Sequence, residues 1–453
     1  MEHYLSIIIG AGQAGLATAH QLTSRGLVPA QDFLLIDANP APGGAWRHRW
    51  DSLTLGKAHN IASLPGMPAP LADASSPASH VVASYYGAYE DKFQLRPYRP
   101  ARVRSVRPLP GTHSARNLHG ALGPRDERAT ENPDEPRGAH ASHDEPEPRG
   151  AFLVTLESGE QFSADAIVNA TGTWDRPYIP YIPGIGSFGG RQLHTKDYSA
   201  AEDFAGQHVL VVGGGLSAVQ FLLELEGIAQ TTWATRRAPD FTNTEFDKQW
   251  GLDVEEKVRE RVFSGNPPAS VVSTTGIPPW QEYLDAVERG ILVSRGMFDA
   301  IDATGVRFGE AATSSRTAAS DGAATGGRAA ASDESAAHRE TVAGSETVAD
   351  GDAAADGGAV GASESGAAWQ PYPAGTHLAV DVIFWNTGFR PVLDHLAPLR
   401  LRSRKGGIVM RNEVSPAGNP RVFLAGYGST ASTVGATRAG RMAAREVMKV
   451  LGL

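Results

Sequence analysis

The chain of 453 residues contains no cysteine. Disulfide staples, thiolate zinc sites, iron–sulfur clusters and redox-active dithiols are therefore excluded, and any redox chemistry has to come from a bound cofactor. Long apolar runs are lacking too. The opening segment holds only the short stretch Leu5 to Ile9 before glycines intervene. That is too little for a secretory signal or a spanning helix, so a soluble, cytoplasmic protein without a membrane partner is expected. A basic excess is missing as well, since the formal net charge is −9. A single core rarely grows beyond about 250 to 300 residues, so this length predicts two domains.

The acid is concentrated in two inserts. Residues 113–150 carry five arginines and eight acidic residues, and residues 310–368 carry three arginines and ten acidic residues in an Ala/Gly/Ser/Thr background. These segments contribute −3 and −7, which leaves the remainder at +1, with no basic stripe for nucleic acid. Both are too poor in large apolar residues to offset the entropy of ordering them and read as disordered surface loops. The histidines of the first, His113, His119, His140 and His143, are irregularly spaced and read as solvated; no metal site is expected.

What is present is a nucleotide-binding construction, twice. "YLSIIIGAGQAGLATAHQL" reads as a buried strand, a GxGxxG turn and a helix. Gly10 permits the turn, Gly12 lets the backbone approach a pyrophosphate at the helix N-terminus, and Gly15 lets helix pack on strand. The next strand, "DFLLIDAN", ends in Asp37, an acceptor suited to a ribose diol. The pattern returns at "HVLVVGGGLSAVQFLLEL", with Gly213, Gly215 and Ala218 in the three glycine positions and Ser217 beside them. Here the second strand leads to Arg236 and Arg237. Paired guanidiniums suit a 2′-phosphate and select NADPH over NADH; two solvated arginines at a strand end are the alternative.

Each fold closes in an apolar strand running into a TG turn, "IVNATGTW" and "IFWNTGFR". Short strand pairs lie just upstream, "RVRSVRP" with "AFLVTL" and "GVRF" with "GTHL", and the acidic inserts fall between their members. The fold class is thus α/β: two Rossmann-like dinucleotide-binding domains, the NADPH domain inserted in the FAD domain, with two low-complexity loops. The expected boundaries are 1–180 and 381–453 for the first and 181–380 for the second. Two such folds without a dithiol point to FAD reduced by NADPH.

The segment "SFGGRQLHTKDY" is too polar and glycine-rich for a core element and reads as the crossover between domains. Its spacing Phe188, Gly190, His194, Tyr198 resembles the FxGxxxHxxxY-type fingerprint of the flavin-containing monooxygenases. "GGAWRHRWDSLTL", "LPGMPAP", "ATGTWDRPYIPYIPG" and "LAGYGSTASTVGATRAGR" are similar to blocks of that family, in its order. The resemblance implies that Gly10, Gly12, Gly15, Asp37, Gly44, Trp46, the turn Ala170, Thr171, Gly172, and Gly426 touch FAD. It implies that Gly213, Gly215, Ser217, Arg236 and Arg237 touch NADPH, and that the helix entered through Val434 to Gly440 lies beside the isoalloxazine. His194 is the candidate residue coupling the domains, with a locally bonded loop histidine as the alternative. The chain departs from the family twice: an asparagine usual after the GG-W block has no clear equivalent, Asn60 coming late, and Asn386 replaces the alanine of the second ATG turn.

The activity so implied is an NADPH-dependent FAD monooxygenase that uses molecular oxygen and a small organic substrate and works through a flavin 4a-(hydro)peroxide. The rivals are an NADPH:acceptor reductase or oxidase on the same scaffold and a non-catalytic flavin- or nucleotide-binding sensor. Residues 240–298 read as polar helices with the aromatics Phe246, Trp250, Trp280, Tyr283 and Phe298, either a cap over a substrate channel or core.

Overall fold

The computed structural model describes residues 1–58, 61–109, 150–241, 258–268, 276–309 and 367–453. Most of both acidic inserts, Asn60, Phe246 and Trp250 lie outside the described residues.

The first sheet is built from β1 (Glu2–Ile9), β2 (Phe33–Ile36), β3 (Val103–Pro108), β4 (Phe152–Leu156) and β5 (Gln161–Asn169), in the order β2-β1-β5-β4-β3. β1 is parallel to β2 and β5, while β3 and β4 run antiparallel. The C-terminal end of β5 also pairs in parallel with a late strand, Val422–Leu424. Such strands are covered on both faces, so they read as apolar runs whose alternate side chains enter different layers. Ile8, Leu35 and Val168 enter the layer packed by α1 (Gln13–Thr23) and α2 (Ala78–Phe93), whereas Ile7, Ile9, Leu34 and Ile167 enter the opposite one.

The second sheet contains β6 (Arg191–His194), β7 (His208–Val212), β8 (Gln230–Ala234) and a strand at Val382–Trp385 in the order β6-(382–385)-β7-β8, all parallel. α3 (Leu216–Glu224) and α4 (Gln281–Glu288) pack on one face with Val209, Val211 and Phe384. A small antiparallel sheet covers the other: β9 (Ala300–Ile301), β10 (Gly305–Arg307) and β11 (His377–Ala379). The strand at 382–385 is β12, and β13 is Val422–Leu424.

α5 (Thr433–Leu451) closes the chain. Its start is capped by the Ser432 hydroxyl, which accepts from the Gly435 amide at 3.0 Å, and Gly452 ends it in the left-handed conformation. At Gly440 it lies so close to α1 that a Cβ would meet Ala14 O and Ala17 Cβ.

Three expectations change. A boundary at 381 would give β12 to the first fold, but β12 is bonded on both edges within the second sheet, so the chain crosses back only after the TG turn at Thr387–Gly388. The crossover segment is not merely a connection: Arg191–His194 is an edge strand of the second sheet, exposed at Arg191 and Gln192 and buried at Leu193 and His194. Polar side chains are tolerated there because an edge strand covers only one flank. The described aromatics of 276–298 do not form one face: Trp280 is exposed with its ring 5.2 Å from that of Tyr283, while Tyr283 and Phe298 are core residues, the first in the α3 layer and the second in the opposite one.

Candidate functional site

The strands of the first sheet end together at Gly10, Asp37, Ala170 and Ala425. This is the edge of an open α/β sheet at which ligands bind. Gly10 takes φ +105° and a Cβ there would strike Ala170 O, while a Cβ on Gly15 would strike Gly10 O. These two glycines are required by packing. Gly12 is different: it caps α1 with no side-chain hydrogen bond and a Cβ on it would meet nothing within 4 Å. Gly172 and Gly426, in the neighbouring turns, face equally open space. Gly44, at φ +53°, brings the 44–48 turn against Gly12, and Trp46 is half-buried beside it. An uncapped helix start with bare backbone around it is what a dinucleotide pyrophosphate fits.

Asp37 is buried at the end of β2 and does not stand alone. Arg99 donates to Asp37 Oδ2 at 3.1 Å and grips Glu90 of α2 through both Nη atoms, at 2.6 and 2.9 Å. Asp37 Oδ1 accepts from the Asn39 amide at 3.2 Å. Burial pushes the Glu90 carboxyl up while Arg99 pulls it down. Thus one guanidinium holds two buried acids, and it fixes the carboxylate that would face a ribose. The sequence reading missed Arg99, which arrives from a segment where Tyr98 and Ala101 bond to the backbone of Leu35 and Asp37.

The second fold repeats the first. Gly213, at φ +138°, lies against Asn386 O as Gly10 lies against Ala170 O. Gly215 caps α3 without a side-chain bond, Ala218 is fully buried and Ser217 is half-buried in the first turn. Arg236 and Arg237 are exposed just past β8, in a turn held by Thr235, whose hydroxyl donates to Arg237 O at 2.6 Å. Asn386 also has a local reason: its Oδ1 accepts from Thr195 at 2.8 Å and its Nδ2 donates to Phe384 O, tying the end of β12 to the crossover. An alanine could do neither.

The crossover fingerprint is built inward. A Cβ on Gly190 would strike Asp381 O and the Phe188 ring. Tyr198 is buried, stacks with Phe204 and Phe384, and donates to Glu224 of α3 at 2.6 Å. His194 is 2% exposed. Its Nδ1 accepts from the Lys196 amide at 3.3 Å, so Nε2 carries the proton and donates to Gly388 O at 2.9 Å. Burial lowers its pKa, against the opposing pull of that hydrogen bond, and keeps the ring neutral.

Gly388 belongs to the returning linker, which pairs antiparallel with the outgoing one: Tyr178 N donates to Gly388 O, Arg390 N to Arg176 O, and Val392 N to Gly172 O. Phe389 of this ribbon packs edge-on against His194 and stacks on Trp174 at 5.0 Å. Trp50 and Leu53, from the first fold, enter the core of the second. His194 therefore lies under the ribbon that joins the two sheets. Among the described residues no cluster of histidine, aspartate and glutamate could hold a metal, and no helix is long and apolar enough to cross a membrane.

Fold and site together define an α/β protein with two Rossmann-like units, each carrying a dinucleotide-type glycine turn. The family described as "Pyridine nucleotide-disulphide oxidoreductase" matches residues 146–266, and "NAD(P)-binding Rossmann-like domain" matches residues 8–60. The chain is 30% identical over 221 residues to indole-3-pyruvate monooxygenase YUCCA1 of Oryza sativa subsp. japonica, covering 49% of this chain and 44% of that protein. It is 28% identical over 236 residues to an uncharacterized oxidoreductase, CzcO, of Bacillus velezensis, 52% of this chain and 56% of that one. The match thus spans about half the length of these curated relatives. Among solved structures, a flavin-containing monooxygenase from Stenotrophomonas maltophilia is 26% identical with a TM-score of 0.63, over 99% of both chains. The bacillithiol disulfide reductase YpdA of Staphylococcus aureus, 14% identical with a TM-score of 0.57, over 99% of both chains, shares the fold alone. The chain is thus similar in sequence and fold to a flavin-containing monooxygenase. That likeness implies FAD and NADPH, and the glycine starts of α1 and α3, neither capped by a side chain, fit dinucleotides.

Proposed function

We propose that the chain is an NADPH-dependent FAD monooxygenase that puts one atom of molecular oxygen into a small organic molecule. The observation that carries this reading is the pairing of two intact dinucleotide turns across a hydrogen-bonded ribbon in a chain without cysteine, which leaves no dithiol for reduced flavin to serve. When bound, FAD accepts hydride from NADPH and activates oxygen; the protein supplies orientation and exclusion of water.

In this reading the FAD unit comprises residues 1–180 and the chain after the second TG turn, and the NADPH unit lies between. Gly10, Gly12 and Gly15 receive the flavin pyrophosphate on the α1 amides, and Asp37, held by Arg99, accepts from the ribose. Gly44, Trp46, the Ala170–Gly172 turn and Gly426 line the rest. Gly213, Gly215 and Ser217 receive the nicotinamide pyrophosphate at α3. Arg236 and Arg237 face the 2′-phosphate. His194, neutral and buried, acts on the linker ribbon and touches no reacting atom.

The test is NADPH oxidation under labelled oxygen with a panel of small acceptors. One labelled oxygen atom in product per NADPH consumed is expected; peroxide in stoichiometric yield whatever is added would make the chain an oxidase or reductase. Protein that takes up no flavin would leave only nucleotide binding. A sharper check falls on Arg236. Its replacement by alanine should weaken NADPH by about 1.5 to 3 kcal/mol, the value of a charge-assisted hydrogen bond, and leave NADH nearly untouched. Equal losses for both nucleotides would return the arginine to a solvated strand end.

A further inference from the structure

One cation near the junction of the two sheets has no assigned work. Arg49 follows the Gly44–His48 turn, and its guanidinium lies 4.1 Å above the Trp174 ring and 5.8 Å from that of Trp50. It is half-buried, and burial lowers its pKa to about 10. The contrast with Arg99, clasped by two carboxylates, is plain. The Trp174 indole N–H beneath Arg49 is also buried without a partner. Withdrawing part of a charge from water is costly, and stacking on aromatic faces returns only about 0.5 to 2 kcal/mol.

Arg49 forms part of the wall of a cleft of about 640 Å³ between the two units, with Trp50 and Ser52 on one side and Tyr198, Ser199 and Glu224 on the other. The acids of the cleft do not answer it. Glu224 is engaged by the hydroxyls of Tyr198 and Ser52, Asp51 stands at the surface beside His80, and Glu202 is exposed. The cleft adjoins the C-terminal end of α3, the opposite end from Gly215, so it is separate from the NADPH turn.

We propose that Arg49 anchors an organic-acid subsite, in which the guanidinium grips the carboxylate of a small molecule lying in the cleft between the two units. A planar guanidinium with forked donors matches a carboxylate bidentately. Naming that acid as the substrate class rests on the monooxygenase reading; the binding site itself does not.

The test is a fluorescence titration of the FAD-loaded protein, reporting on Trp174 and Trp50, with phenylacetate, hexanoate, phenethylamine and inorganic phosphate. Saturable change with the two acids is expected, and none with the amine. Arg49→Met should weaken acid binding by about tenfold or more, and Arg49→Lys by less, because only the second keeps a charge. Arg49→Met should also melt at the same temperature as the wild type or higher, since it removes a partly desolvated charge and keeps the packing. No response to either acid, equal response to the amine or phosphate, unchanged affinity in Arg49→Met, or a much lower melting temperature in that variant would each overturn the proposal. If acids bind through Arg49 yet all NADPH oxidation ends as peroxide, the oxygenation reading fails and the subsite stands.

Discussion

Single residues carry the sharpest consequences where charge meets burial. Arg99, Asp37 and Glu90 are each about a tenth exposed or less, so removing the cation strands two acids in the core. Arg99→Met should cost about 3 to 5 kcal/mol in urea unfolding and lower the flavin content of purified protein. A loss within experimental error would mean that the acids become neutral without penalty. His395 makes a second case. It is buried with Nε2 2.7 Å from Asn169 Oδ1, and burial lowers its pKa to about 4. The unfolded chain takes up that proton near 6.5 and the folded one does not, so stability must fall with pH between about 6.5 and about 4. The full slope is about 1.4 kcal/mol per pH unit, and His395→Gln should flatten the acid limb by up to that amount. Neither residue was legible in the sequence. Arg99 meets its acid across 62 positions, and an isolated histidine carries no sign of the strand end it will cover.

Elements were far more legible, because their signals are local. β1, α1, β2, β7, α3 and β8 follow from apolar runs, glycine turns and helical spacing, and the pairs β3–β4 and β10–β11 stand where short apolar alternation puts them. What local signals could not give was membership. β12 resembles β5 in sequence and also closes a fold, but only long-range pairing decides that it belongs with β7 and β6. The same holds for Arg191–His194, polar in sequence and yet a strand because β12 offers it an edge. The β10–β11 pair supports a prediction. Its register, Arg307 against His377, is fixed by its own ladder and by Phe308 N donating to Thr376 O at 2.9 Å. Replacing residues 310–366 with a flexible linker of about ten residues should leave melting temperature and flavin content within error, since loop closure changes by only about 0.6 kcal/mol per doubling of length. Insoluble protein would show that the insert is needed by the fold.

At the scale of the molecule the question is what fixes the two sheets relative to each other. Three features do so together: the antiparallel ribbon of the two linkers, Trp50 and Leu53 inserted into the second core, and the stack of Trp174 and Phe389 over His194. The ribbon meets the first TG turn, where Val392 N donates to Gly172 O, and all three features bear on the spacing between the nucleotide turns. Oxygen chemistry at a flavin is sensitive to that spacing, because water admitted between the units diverts reducing equivalents to peroxide. His194→Ala removes the donor to Gly388 O and the acceptor for Lys196 N–H while leaving both glycine turns intact. It should therefore raise the fraction of NADPH consumption that ends as hydrogen peroxide, measured against product formed. The Kd for NADPH should stay within about threefold of wild type, less than the loss of one net hydrogen bond. His194→Gln, which can still donate to Gly388 O, should restore part of the coupling. If the peroxide fraction is unchanged in both variants, the histidine only holds its own turn together, and the spacing of the sheets is set by Trp50 and the ribbon without it.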